Sequence, residues 1–341
     1  MAYPFRNLIF EGGGVKGIAY VGALKVLEER KILKDIKRVG GTSAGAINAV
    51  LLSAGFNLKE MQDILWNLNF NNFMDDSWGI VRDTKRLINE FGWYKGDFFR
   101  DWMGRLIREK TGNENSTFHD FKKRGFLELY LVGTNLSTGY AEVFSWEHTP
   151  RMRVVDAVRI SMSIPLFFAA VRGFRGDVYV DGGMLDNYPV KLFDREKYIA
   201  EEDLQAHGRK IDYYDEPNKN KPATSSRYLY NRETLGFRLD SGRDIAVFRD
   251  NAEPVRNKID DFFDYIKAMV STIIGAQDNR HLHSDDWSRT VYIDTLRVSG
   301  TDFDIDDAKK KALVTQGEKG CKLYFDDWYD NPQVSPDNRP A

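Results

Sequence analysis

Ile36-Lys37-Arg38-Val39-Gly40-Gly41-Thr42-Ser43-Ala44-Gly45, followed by Ala46 to Ala54, decides how this chain is read. The first four residues suit a short strand, and the run from Ala46 to Ala54 suits a helix stopped by Gly55. Between them Gly41-Thr42-Ser43-Ala44-Gly45 fits the pattern G-x-S-x-G. A serine on a sharp strand-to-helix turn needs glycine two residues to either side, because side chains there collide with neighbouring backbone. The turn lifts the hydroxyl into open space and aims the N-terminus of the next helix at a developing oxyanion. Such pentapeptides also arise by chance. The flanking strand and helix are what favour a nucleophile at Ser43.

Working outward, Asn7-Leu8-Ile9-Phe10-Glu11 reads as a strand, and Ile18, Val21, Leu24 and Leu27 recur at helical spacing between Gly17 and Arg30. The loop between them, Glu11-Gly12-Gly13-Gly14-Val15-Lys16-Gly17, has three readings. Gly12, Gly14 and Gly17 have dinucleotide-fingerprint spacing, but the next strand runs into the serine turn where an acidic ribose ligand is required. A P-loop fails because Ile18 stands where lysine must follow the last glycine. The third reading is an oxyanion hole, in which unshielded N–H groups of consecutive glycines converge on one oxygen; a serine at Ser43 requires one. Lys16 reads as a solvated cation that adds some local field.

Strand, loop, helix, strand, loop, helix is the pattern of a parallel sheet with helices on its faces. Further strands are expected at Phe126–Gly133, Tyr140–Ser145, Val178–Asp181 and Thr290–Asp294. Helical patterns cover most of Leu58 to Thr111, then Arg151 to Met162, Pro254 to Ile274 and Asp304 to Phe325. The hydrophilic stretch 195–226 reads as a loop or insertion. With neither a repeat nor a linker in the sequence, one domain over 1–328 and a frayed tail over 329–341 are expected.

A net charge of −2 provides no field to gather nucleic acid. The single cysteine, Cys321, excludes an intramolecular disulfide, fits a reducing compartment and reads as a small packed residue. No apolar run approaches the ~20 residues needed to span a bilayer. A cleavable leader is not expected, since removing roughly 15 residues or more would destroy the glycine loop.

A serine nucleophile usually works with a histidine. None of the five histidines, His119, His148, His207, His281 and His283, has a persuasive context, and the His281/His283 pair beside Asp285 and Asp286 reads as a solvated loop rather than a metal site. Asp181 ends an apolar strand and precedes Gly182-Gly183. It fits either a base emerging at the end of a sheet strand or a strand-end aspartate capping a turn.

Taken in order, the Gly12–Gly17 loop, the Gly41–Gly45 turn and Asp181-Gly182-Gly183 resemble the patatin-like phospholipase family. Ser161-Met162-Ser163-Ile164-Pro165 and Thr234-Leu235-Gly236-Phe237-Arg238 fall where that family has similar blocks. The resemblance spans about residues 7–325. It implies a three-layer α/β/α sandwich with a mainly parallel central sheet. It also implies a Ser–Asp dyad working without histidine, metal or cofactor, with Ser43 as nucleophile, Asp181 as base, and Gly12, Gly13 and Gly14 as oxyanion donors. Lys16, Gly17, Gly41, Gly45, Gly182 and Gly183 support these loops. The implied reaction is hydrolysis of acyl esters in phospholipids or lysophospholipids by an acyl-enzyme. The implied setting is the cytoplasm with peripheral membrane contact, or delivery elsewhere as an effector, with a protein or small-molecule activator allowed. The rivals are acyl transfer by the same dyad and lipid binding with little turnover.

The segment from Trp66 to Trp102 is rich in aromatics, and Asp97 to Lys110 places Phe98, Phe99, Trp102, Met103 and Leu106 on one side of a helix. That face suits packing on the sheet; the competing expectation is an interfacial lid dipping into lipid.

Overall fold

The computed structural model describes residues 3–73, 90–173, 175–222, 224–240, 258–282 and 285–331. The expectations for Trp78, His283, residues 254–257 at the start of the Pro254–Ile274 helix, and the tail beyond Asn331 lie outside the described residues.

All four residues of the first strand, β1 (Asn7–Phe10), are buried, and the apolar run Leu8-Ile9-Phe10 suits a strand covered on both faces. Leu8 and Phe10 join the main hydrophobic core, whereas Ile9 joins a second cluster with Tyr130, Tyr188, Val190, Phe193 and Tyr198. The alternation along β1 thus shows packing on each face of the sheet. Next come α1 (Ala19–Glu29), entered through a single 3-10 turn at Gly14–Ile18, then β2 (Arg38–Gly41), α2 (Ala44–Ser53) and α3 (Leu58–Trp66).

Further along lie β3 (Gly92–Tyr94), α4 (Asp97–Thr111), α5 (Phe118–Lys123), β4 (Glu128–Asn135), β5 (Tyr140–Ser145) and α6 (Val154–Ser161). Three short strands follow: β6 (Leu166–Phe168), β7 (Val171–Arg172) and β8 (Val178–Asp181). The chain then passes through β9 (Gly208–Arg209), β10 (Tyr230–Asn231), β11 (Thr234–Asp240), α7 (Phe262–Leu282), β12 (Thr290–Asp294) and α8 (Asp307–Leu323).

The main sheet runs β12-β11-β1-β2-β4-β8-β7, with β5 on the remaining edge of β4. From β12 to β4 every pairing is parallel; β5, β8 and β7 are antiparallel. The result is a mixed α/β fold around a mostly parallel sheet, as expected. Two features depart from the simple pattern. Thr234–Asp240, which carries Arg238 and Asp240 and invites no strand assignment by hydropathy, is a wholly buried strand between β1 and β12. Its charge is answered within the core, since Arg238 donates to Asp240 Oδ1 at 3.1 Å and lies 3.7 Å from Glu11.

The polar stretch 195–226 is also more than a loop. Single helical turns and the β9–β10 ladder organise its length, and Tyr214 is buried with its hydroxyl on the Asp194 carboxylate. Helix α4 packs against the core, with Phe99, Met103 and Ile107 buried and Phe98, Trp102 and Leu106 partly covered. That is the packing expectation rather than the lid. Cys321 is buried, and burial pushes its thiol pKa up.

Candidate active site

Pairing along a single edge of β4 brings the chemistry together. Since β5 occupies the other edge, β2 and β8 share one edge and meet nearly head-on along it. Gly41 at the end of β2 lies opposite Leu131, and Asp181 at the end of β8 lies opposite Gly133, two residues further along the same strand. Ser43 and Asp181 therefore emerge at one place from opposite directions. Asp181 reaches the site on an antiparallel strand.

The turn at Ser43 is strained. Its φ of 53° and ψ of −126° place a side-chain-bearing residue in a region that costs about 1–3 kcal/mol. The surrounding backbone holds it there: Gly45 N donates to Thr42 O at 2.8 Å, and Ala46 N donates to Ser43 O at 2.8 Å. A Cβ at Gly41 would stand 2.5 Å from Gly45 O, and one at Gly45 would stand 2.6 Å from Glu11 O. Both glycines are steric requirements. Ser43 occupies the N-cap position of α2 but makes no capping hydrogen bond, so its hydroxyl is spared the usual duty of a serine there.

Asp181 is 4 % exposed. Its Oδ1 accepts from Gly183 N at 2.7 Å, and its buried Oδ2 has no hydrogen-bond partner among the described residues. Burial raises its pKa to about 7, against the pull of the Gly183 N–H and the nearby Ser43 hydroxyl. The serine favours the carboxylate without completing a hydrogen bond to Oδ2; its Oγ lies 3.7 Å from Met162 Sδ. Open geometry of this kind is common before substrate binds.

The block Ser161–Ser163 positions both residues. Ser43 N donates to Ser161 Oγ at 3.0 Å, Ser161 Oγ donates to Val132 O at 2.7 Å, and Asp181 N donates to Ser163 O at 2.8 Å. Thr42 Oγ1 adds a tie to Asp186 O at 2.9 Å, joining the serine turn to the segment after Gly183.

The glycine loop lies against the same turn: a Cβ at Gly12 would stand 3.1 Å from Ser43 Cβ. Gly12 N is already engaged, donating to Asn187 O at 3.0 Å, whereas Gly13 N and Gly14 N form no hydrogen bond among the described residues. Gly14 has a φ of +57°, which turns the peptide before the 3-10 turn. Of the three glycines named from sequence, Gly13 and Gly14 are thus the ones with N–H groups left for an incoming oxygen. Glu11 anchors the loop from behind, accepting from Leu239 N at 2.6 Å. Lys16 is not simply solvated; its ammonium donates to Leu239 O at 3.3 Å. Gly17 and Gly182 sit in close contact with the turn, near Ala44 and Thr42 respectively.

Asn187 was invisible to motif reading, yet it is 4 % exposed and central. Its Nδ2 donates to Gly12 O at 3.2 Å and to Glu11 Oε1 at 3.4 Å. The only sequence signal for it is its place a few residues after Asp181-Gly182-Gly183.

No histidine bonds to Ser43 or Asp181 among the described residues. His148 Nδ1 is 2.8 Å from Ser145 Oγ, and His207 Nδ1 is 2.8 Å from Glu233 Oε1. Asp203, His207 and Glu233 are the one described group of three with metal-ligand types close together. Glu233 O accepts from Asn7 N at the start of β1, so that group lies at the end of the sheet away from Ser43. Asp286, beside the sequence-noted histidine pair, is committed to Arg289 and Lys191. No described helix is long and apolar enough to cross a membrane.

Known proteins resemble this chain. A family profile described as patatin-like phospholipase matches residues 8–194, a span that takes in the glycine loop, the serine turn and Asp181. An uncharacterized protein, R571, of Acanthamoeba polyphaga mimivirus is 30% identical over 320 residues, covering 93% of this chain and 92% of its own length. A cGAMP-activated phospholipase of Vibrio cholerae is 27% identical over 206 residues, 54% of this chain and 55% of that protein. Among solved structures, VipD from Legionella pneumophila superposes with a TM-score of 0.56 at 16% identity, covering 96% of this chain and 67% of that one, a likeness of fold. With the profile covering more than half of the chain and every motif of the site, this protein belongs to the patatin-like phospholipase family.

Proposed function

We propose that the chain is a lipid acyl hydrolase that cleaves carboxylic ester bonds of phospholipids or lysophospholipids with a Ser43–Asp181 dyad. The observation that carries this reading is the unpartnered, buried Oδ2 of Asp181 beside a serine held at φ 53°. A carboxylate is ordinarily too weak a base for an alcohol proton. Burial raises the proton affinity of Asp181 to the neutral range, where a general base works best.

In the proposed reaction Asp181 Oδ2 takes the Ser43 proton as Oγ attacks the ester carbonyl carbon. The carbonyl oxygen becomes an oxyanion received by Gly13 N–H and Gly14 N–H, with the N-terminus of α2 behind Ser43 adding favourable potential. The tetrahedral intermediate collapses, the C–O bond to the glycerol oxygen breaks, and Asp181 returns the proton to the leaving alcohol. Water then attacks the acyl-serine with Asp181 again as base, the bond to Ser43 Oγ breaks, and Asp181 returns the proton to Oγ as the fatty acid leaves. Contact with lipid is peripheral in this reading. The name of the Vibrio cholerae relative makes a small-molecule activator part of what should be supplied in an assay.

The test is turnover of a short-chain p-nitrophenyl ester and of phospholipid vesicles by wild type, Ser43→Ala and Asp181→Asn. Each variant should lose at least about 10³-fold in kcat while remaining folded. Residual activity equal to wild type in either variant would remove that residue from the mechanism.

A further inference from the structure

Gln277 lies near the C-terminal end of α7, far in sequence from every motif of the site. Its amide is used at both ends. Nε2 donates to Gly183 O at 2.8 Å and Met184 O at 3.0 Å, and Oε1 accepts from Asn187 N at 3.1 Å. Two branches leave this side chain. One runs through the Gly182–Met184 turn to the Gly183 N–H that holds Asp181 Oδ1. The other runs through Asn187, whose carbonyl accepts from Gly12 N and whose Nδ2 donates to Gly12 O.

We propose that Gln277 is a positioning residue that fixes the base loop and the oxyanion loop relative to each other. Its amide is the one side-chain group described as bonding to both the segment after Asp181 and the segment that holds Gly12. The fit around the turn is close: a Cβ at Gly183 would stand 2.9 Å from Asn187 Oδ1, 3.0 Å from Asp181 Oδ1 and 3.6 Å from Ile274 Cδ1 of α7. A loop so hemmed in transmits displacement of the helix directly to the carboxylate. A serine hydrolase needs its base and its oxyanion donors fixed within a fraction of an ångström, and a misplacement of about 1 Å costs on the order of 100-fold. Through these bonds the register of α7 against the sheet becomes a determinant of rate.

The inference rests on the hydrolase reading, and the test separates the two. Gln277→Met keeps the length and removes all three hydrogen bonds. Gln277→Glu keeps the shape and the acceptor for Asn187 N but sets a carboxylate against two carbonyl oxygens. Both should lower kcat on the soluble p-nitrophenyl ester by about 10- to 100-fold, with KM changed by less than about threefold. Burial, the Gly183 N–H and the Ser43 hydroxyl set the proton affinity of Asp181. Loosening the Gly183 turn should therefore also move the acid limb of kcat to higher pH, a readout that a merely structural stitch would leave in place. Thermal unfolding and titration of reactive serine count the folded, competent molecules. Wild-type kcat and acid limb in both variants, with Ser43→Ala inactive, would overturn the positioning role alone. A loss fully explained by fewer competent molecules, with the acid limb unmoved, would overturn it too. Wild-type turnover by Ser43→Ala would overturn the hydrolase reading and this inference together.

Discussion

Replacing Asp181 with asparagine should stabilise the protein at alkaline pH while destroying its activity. The carboxyl is buried and its pKa stands at about 7 in place of the ordinary 3.8. That gap corresponds to ~4 kcal/mol at ~1.4 kcal/mol per pH unit, taken as an upper limit because water entry and relaxation reduce it. The sign follows from proton counting. Between pH ~4 and pH ~7 the folded state holds a proton that the unfolded state has released, so stability falls as pH rises through this window. Above it, the wild type carries a buried charge that the Gly183 N–H and the Ser43 hydroxyl compensate only in part. Asparagine has nearly the same shape, and its Oδ1 can still accept from Gly183 N, the bond of 2.7 Å that Asp181 makes. The variant should thus unfold at higher urea concentration than wild type at pH 8, by up to ~4 kcal/mol on linear extrapolation. The difference should shrink steadily and vanish near pH 4. A variant no more stable than wild type at pH 8, or a difference flat between pH 4 and pH 8, would refute the claim that Asp181 is a charge held against its solvation preference.

The same carboxylate sets the pH dependence of turnover. Asp181 must be ionised to accept the serine proton, so kcat/KM on a soluble ester should fall tenfold per pH unit below about 7, and a profile flat from pH 5 to pH 8 would exclude it as the base. Gly45→Ala should be damaging in a different way, since the new Cβ lies closest to Phe10 O and 2.6 Å from Glu11 O and must push the end of β1 away from the turn. A loss of ~1–3 kcal/mol in unfolding free energy with a larger proportional loss of kcat is expected; wild-type values in both would show that the turn has room to relax.

What the sequence discloses here is local chemistry under steric compulsion. Gly41 and Gly45 are written into the pentapeptide because a Cβ at either meets backbone, so the pattern survives as letters. The strand β1 and the helix α2 follow from apolar runs that are buried almost throughout. The family resemblance rests on such short-range signals, and the choice of Asp181 as base and of core packing for α4 follows from that resemblance. Charge hid β11. Its Arg238 looks like a surface residue until Glu11 and Asp240, distant in sequence or on the same strand, are seen to answer it. The stretch 195–226 hid its order in the same way, because its polar composition says nothing of the aromatic anchor at Tyr214.

The residues missed at the site share a physical reason. Asn187 and Gln277 act through bonds to backbone amides and carbonyls, and a backbone partner leaves no complementary side chain in the sequence to be noticed. Even the placement of Asp181 depends on a non-local choice. A strand ending in Asp-Gly-Gly looks alike whether it joins the sheet parallel or antiparallel. Only the shared edge of β4, already filled by β2 as far as Leu131, makes β8 enter from the other direction and stop at Gly133. Had β8 been parallel to β4 on that edge, its last residue would point away from Gly41 rather than towards it. The antiparallel entry is therefore what turns two separate motifs into one site. It also explains why so much side-chain-to-backbone bonding is needed there: two strand ends that meet without pairing to each other must be held by the loops around them.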